Sequence, residues 1–186
     1  MTMEEKIYEE VKKRCELPSN SYGIGAWDHH IKIVYELAKK YANEYGADEE
    51  IVALASLLHD IASVTDVNFT EDHHIIGAEI AEELLLKEEY PKEKIEIIKK
   101  CILNHRGSKL ADKNSKEEIC IADVDAMAHF YSIPSLFSMV YKEKMLSINE
   151  GTKFVINKLD RSYNKMSEKG KLLVKKYYES AKNILK

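Results

Sequence analysis

Three features of the sequence predict an all-α fold, a single compact bundle of several helices. Apolar residues recur at intervals of three and four rather than two, seven Gly and three Pro in 186 residues leave few breaks, and strand-like alternation is absent. The length suits one domain of ordinary size. Within it we expect an N-terminal helix and loop over 1–26, a core over 27–130, and a C-terminal helical extension over 131–186 packed on the same domain.

The elements follow in order. A first helix over about 4–15 ends before Leu17-Pro18, and the loop SNSYGIGAW leads into a second that starts near Asp28, a good N-cap. Gly46 closes that helix, and Asp48-Glu49-Glu50 opens a third with acidic residues in its first turn, running through IVALASLLHD. Thr70 caps a fourth through HHIIGAEIAEELLLK. Pro91 suits the first position of a fifth, which ends with CILNHRG at Gly107. The segment SKEEICIADVDAMAHFYS reads as a sixth, and Pro134 restarts the chain in a seventh. Two amphipathic packing helices follow, with apolar positions at Phe154, Val155, Leu159 and Tyr163, then at Leu172, Leu173, Tyr177 and Ile184. No internal repeat interrupts this order.

A net charge of −4 carries no overall nucleic-acid signature. The charge is uneven: residues 153–186 hold ten Lys or Arg against three Asp or Glu, a net +7, which leaves −11 for the rest. Such a basic extension could meet phosphates, although a solvated lysine-rich helix face is the commoner outcome. Cys15, Cys101 and Cys120 are odd in number and far apart, which argues against disulfides and a thiolate zinc site and for a reducing compartment. The N-terminus has no apolar signal core, and no run approaches the 18 apolar residues of a membrane span, so we expect a cytoplasmic protein without a membrane partner.

Histidines carry the chemical signal. His30, Val34, Leu37 and Tyr41 are spaced by four, three and four, so His30 lies on a face that must be buried, with His29 turned about 100° away. Val52, Ala55 and His59 share another stripe, and Asp60 is the next residue round. An imidazole and a carboxylate in an apolar segment are each costly to bury alone, and a shared metal ion removes both costs. His73 aligns with Gly77 and Ile80, and Gly77 would let a neighbouring backbone come close, which favours His73 over His74. His105 ends the fifth helix. Asp125 shares a face with Ile121, whereas Asp123 points nearly the opposite way, and either could instead be a helix cap or an exposed charge. Imidazole with carboxylate suits a borderline divalent metal with open positions. Any one of these histidines alone is more often a surface or satisfied core residue; the ordered set is what points to a metal.

That set resembles the HD superfamily, named for its His-Asp doublet, over 27–130. HIKIVYELA from His30 is similar to the family's first ligand helix, LASLLHDIA to its doublet helix, HHIIGAEIAEELL to the segment with a further His, and IADVDAM to its last Asp helix. The sequence departs from the pattern in having Ala62 where the HDIG form has Gly, and in lacking a GYP signature. The resemblance implies that His30, His59, Asp60 and Asp125 hold one divalent ion (Mn, Fe, Co, Ni, Zn or Mg), and that His73 and His105 hold a second or line a phosphate site. It also implies phosphoester hydrolysis by metal-activated water on a small, nucleotide-like phosphorylated substrate, with Asp60, His73 and His105 as catalytic residues. Arg106 and Lys109 are sensible phosphate contacts, or equally exposed basic residues of a polar loop. With His73 and His105 as a bare pair, we expect one tightly held ion and a weak second. Alternatives are a diiron oxygenase on the same scaffold or a non-catalytic nucleotide-binding module, and a homodimer stays open.

Overall fold

The computed structural model describes residues 1–23, 25–106 and 115–185, and among them every regular element is helical. The described chain forms two compact units, Met1–Ala122 and Asp123–Lys186. In the first, α1 (Met3–Cys15) starts at a reciprocal capping box between Thr2 and Glu5 and buries Ile7, Val11 and Cys15. α2 (Lys32–Tyr45) ends where Gly46 takes φ 66°, a left-handed cap that suits glycine. Asp48 then accepts the backbone N–H groups of Glu50 and Ile51 and starts α3 (Glu49–Leu58).

α3 is buried from Ile51 to Leu58 and packs against α1, α2 and α6 (Lys92–Asn104), which makes it the axis of this unit. Leu54 is fully buried there. Truncation to Ala removes its contacts while the surrounding helices relax only in part, so Leu54→Ala should cost about 3 kcal/mol. Urea denaturation followed by circular dichroism checks this, and a loss below about 1 kcal/mol would mean that α3 is not the packing axis.

Three boundaries differ from the sequence reading. Asp28 is not an N-cap: it is exposed inside a π turn, Trp27–Ile31, that feeds directly into α2. The third helix stops at Leu58 instead of running through Asp60, and a short α4 (Ile61–Thr65) follows. Thr70 does not cap α5 (His73–Lys87): its hydroxyl donates to the Val67 carbonyl and the helix begins three residues later. Gly77 also serves differently from expectation. The nearest neighbours of a Cβ there would be the Ile102, Ile61 and Ala62 side chains, at 3.4 to 3.8 Å, so it faces side chains and not a closely approaching backbone. Pro91 occupies the position before the first residue of α6.

α7 (Lys116–Tyr131) runs from the first unit into the second. There, α8 (Ile133–Ser138) carries Pro134 in its first turn, and α9 (Ile148–Lys165) opens with a capping box of Ser147 and Glu150. α10 (Glu168–Ile184) packs on α9 through buried Val174 and Ala181 and a Tyr163–Tyr178 ring stack with centroids 4.0 Å apart. Lys171 pairs with Glu168 and Lys182 with Asp160, so part of the C-terminal basic charge is locally neutralised. No helix among the described residues is long and apolar enough to cross a membrane.

Candidate metal centre

The helix break after Leu58 gives the site its centre. Asp60 sits between α3 and α4 with φ −115° and ψ 20°, off the helical path, and its carboxylate reaches two pairs of histidines. Oδ2 lies 3.2 Å from His59 Nε2 and 3.3 Å from His30 Nε2, and those nitrogens are 3.2 Å apart. Oδ1 lies 3.5 Å from His73 Nε2 and 3.6 Å from His105 Nε2, which are 3.3 Å apart. Two triangles of donor atoms therefore share one carboxylate. His59, Asp60, His73 and His105 are buried, and His30 is partly exposed at the rim.

The same local device orients three of the rings. Nδ1 of His59 lies 2.6 Å from the Ser56 carbonyl, that of His73 2.8 Å from Thr70, and that of His105 2.6 Å from Ile102, in each case three residues earlier. A carbonyl only accepts, so Nδ1 carries the proton and a neutral ring turns its Nε2 lone pair inward. Burial pushes His73 below its usual pKa, against the pull of Asp60, which favours the neutral ring. Burial also pushes the Asp60 carboxyl up, but the His59, His105 and His30 rings, when a proton stands on the nitrogen facing it, outweigh this and hold the group well below the usual carboxylate range.

Lone pairs facing lone pairs around a buried anion are mutually repulsive unless a cation stands between them. The spacing fits one: ligands about 2.1 Å from a common ion are separated by about 3.0 Å at octahedral and about 3.4 Å at tetrahedral angles. A divalent ion thus suits the donor chemistry of both triangles and the span of the Oδ2 triangle, while the 3.5 and 3.6 Å distances at Oδ1 are slightly wider. Thiolates play no part. All three cysteines are buried and outside any disulfide, and burial, then Asp60, pushes the Cys15 thiol up to about 12.

A protein-family model, HD domain, matches residues 27–129, more than half of the chain. The chain belongs to the HD-domain family. Among sequence relatives, Ribonuclease Y of Campylobacter curvus is 32% identical over 103 residues, 55% of this chain and 18% of that protein. Ribonuclease Y of Clostridium kluyveri is 43% identical over 61 residues, 33% of this chain and 12% of that protein. This HD-domain chain thus spans under a fifth of either enzyme. A crystal structure of a predicted HD superfamily hydrolase from an uncultured Thermotogales bacterium shares the fold, with a TM-score of 0.59 and 23% identity over 84% of this chain and 89% of that one. The HD-domain match and the His/Asp cluster together support a metal-dependent hydrolase.

Within the HD-domain frame, His30, His59, Asp60, His73 and His105 come together. His29 is exposed beside Gly25, away from the cluster. We therefore expect His29→Ala to leave metal uptake within about twofold of the unaltered protein and His30→Ala to weaken it at least tenfold, on the scale of losses at metal sites; equilibrium dialysis against a divalent ion measures both, and the opposite ranking would move the register by one residue. Arg106 follows His105 and donates to the Glu71 carbonyl at 2.8 Å, while Lys109 lies outside the described residues.

Asp125 belongs to the other compact unit, where Lys165 Nζ approaches its carboxylate at 3.1 Å. Asp123 receives the backbone N–H and the hydroxyl of Ser167, so from inside α7 it holds the residue that caps α10 and is not itself a helix cap. One residue at the site escaped the sequence reading. Tyr22, in the loop before the π turn, donates its phenol to Asp60 Oδ2 at 2.9 Å. An aromatic hydroxyl residue in a glycine-bearing loop eight positions before His30 was the only signal.

Proposed function

We propose that this chain is a metal-dependent phosphohydrolase that cleaves a phosphoester of a nucleotide or related small phosphorylated molecule, working in the cytoplasm with two divalent ions. The observation that carries this reading is the shared carboxylate, with each oxygen of Asp60 completing a triangle with two imidazole nitrogens. Bound there, divalent ions supply Lewis acidity that polarises a phosphoryl oxygen and acidifies a water. The chain supplies the frame. Asp60 would offer one oxygen to each position, the Nδ1 contacts of His59, His73 and His105 fix ring orientation, and burial limits the access of water. Arg106, anchored on Glu71 by one N–H, keeps further donors for phosphate oxygens, and Lys109 follows it in sequence. Asp125 is retained as a ligand on sequence grounds.

A second reading, hydrolysis of an RNA phosphodiester, is favoured by the alignment with Ribonuclease Y. Nucleoside monophosphates, a dinucleotide and a short oligoribonucleotide, offered to the protein with Mn, Co or Mg, separate the two. Phosphate or nucleoside release from the small substrates supports the first reading. Chain shortening of the oligonucleotide with the mononucleotides untouched would replace it by the second.

A further inference from the structure

We infer that Tyr22 is a positioning residue that serves one half of the Asp60 cluster, the half made with His30 and His59, and so makes the two metal positions unequal; this rests on the metal-centre reading above. Oδ2 of Asp60 receives the Tyr22 phenol at 2.9 Å, and that is the oxygen facing His30 and His59. The Tyr22 ring also meets the His30 ring edge-on, with centroids 6.1 Å apart. Both contacts fall on the same triangle. Oδ1, which faces His73 and His105, lies on the other side of the carboxylate.

The loop that presents Tyr22 is held from several directions. Ser21 N–H donates to the Ser63 carbonyl and the Ser19 hydroxyl to the Thr65 carbonyl, tying the loop to α4 directly after Asp60. Asn20 donates to the Cys15 and Gly23 carbonyls and accepts from Tyr22 N–H, so the backbone at Tyr22 is fixed from both sides. Gly23 at φ 66° and Gly25 at φ 100° turn the chain back toward the π turn that carries His30. A phenol on so anchored a backbone limits rotation of the carboxylate it holds. Fixing the direction of an oxygen ligand is what outer hydrogen bonds do at metal sites, and losing one typically costs tenfold to a hundredfold in affinity.

Each half can be isolated by substitution, which gives a readout independent of turnover. In a His105→Ala background the His30–His59 half remains, and in a His30→Ala background the His73–His105 half remains. Co(II) affinity is measured by titrating the visible absorption of each protein, with and without Tyr22→Phe, which keeps the ring contact but removes the hydroxyl. The expected result is about a tenfold loss of affinity from Tyr22→Phe in the His105→Ala background and less than twofold in the His30→Ala background. Equal losses in both, or no loss in either, would overturn the inference. So would a loss with Tyr22→Leu alone, because the ring and not the hydroxyl would then be acting. A chain with all its native residues that takes up no Co(II) would instead overturn the metal-centre reading, and this inference with it.

Discussion

Asp60→Ala is expected to abolish metal retention and to lower turnover more than a hundredfold, while the helical far-ultraviolet spectrum is unchanged. The bound follows from scale: removing a residue that merely supports a metal ligand already costs tenfold to a hundredfold, and Asp60 faces both triangles. Folding should survive because Asp60 lies at a break between helices, not within a packed stripe. Elemental analysis, a phosphate-release assay and circular dichroism check the three parts. Full metal occupancy in the variant would mean that the histidines alone form the site.

The second large effect concerns the number of ions. A bare His73–His105 pair would make a thin site, but Asp60 Oδ1 gives that pair a third donor. This geometry moves our expectation from one firm ion toward two. Protein purified without chelator, or metal-stripped and reloaded with Mn or Co, should hold about two equivalents per chain, and His105→Ala should hold about one, with turnover reduced at least a hundredfold. One equivalent in both proteins would restore the single-ion reading, in which His73 and His105 act on substrate phosphate.

Much of this was legible in the chain because helices announce themselves by period. The stripe of His30, Val34, Leu37 and Tyr41 marked the buried face, and the structure indeed turns His30 to the cluster and His29 to solvent. What periodicity cannot carry is a change of helical pitch. The π turn at Trp27–Ile31 and the break after Leu58 lie in segments whose apolar pattern continues without interruption. Thr70 looked like a cap by residue type, yet its hydroxyl turned to its own turn. Ring orientation depends on carbonyls three residues earlier, contacts visible only once the helix ends are placed. Tyr22 reaches Asp60 across 38 positions of sequence, beyond any local pattern.

The most direct test of the central claim is product release by the metal-stripped protein, reloaded with Mn, Co or Fe and assayed without oxygen on a panel of nucleotides and model phosphoesters. Stripped protein should be inert, a divalent ion should restore phosphoester cleavage, and oxygen should make no difference. Turnover that consumes oxygen and stops without it would establish the diiron oxygenase chemistry instead, and a metal-loaded protein that binds nucleotides but cleaves nothing on the panel would contradict the hydrolytic reading outright.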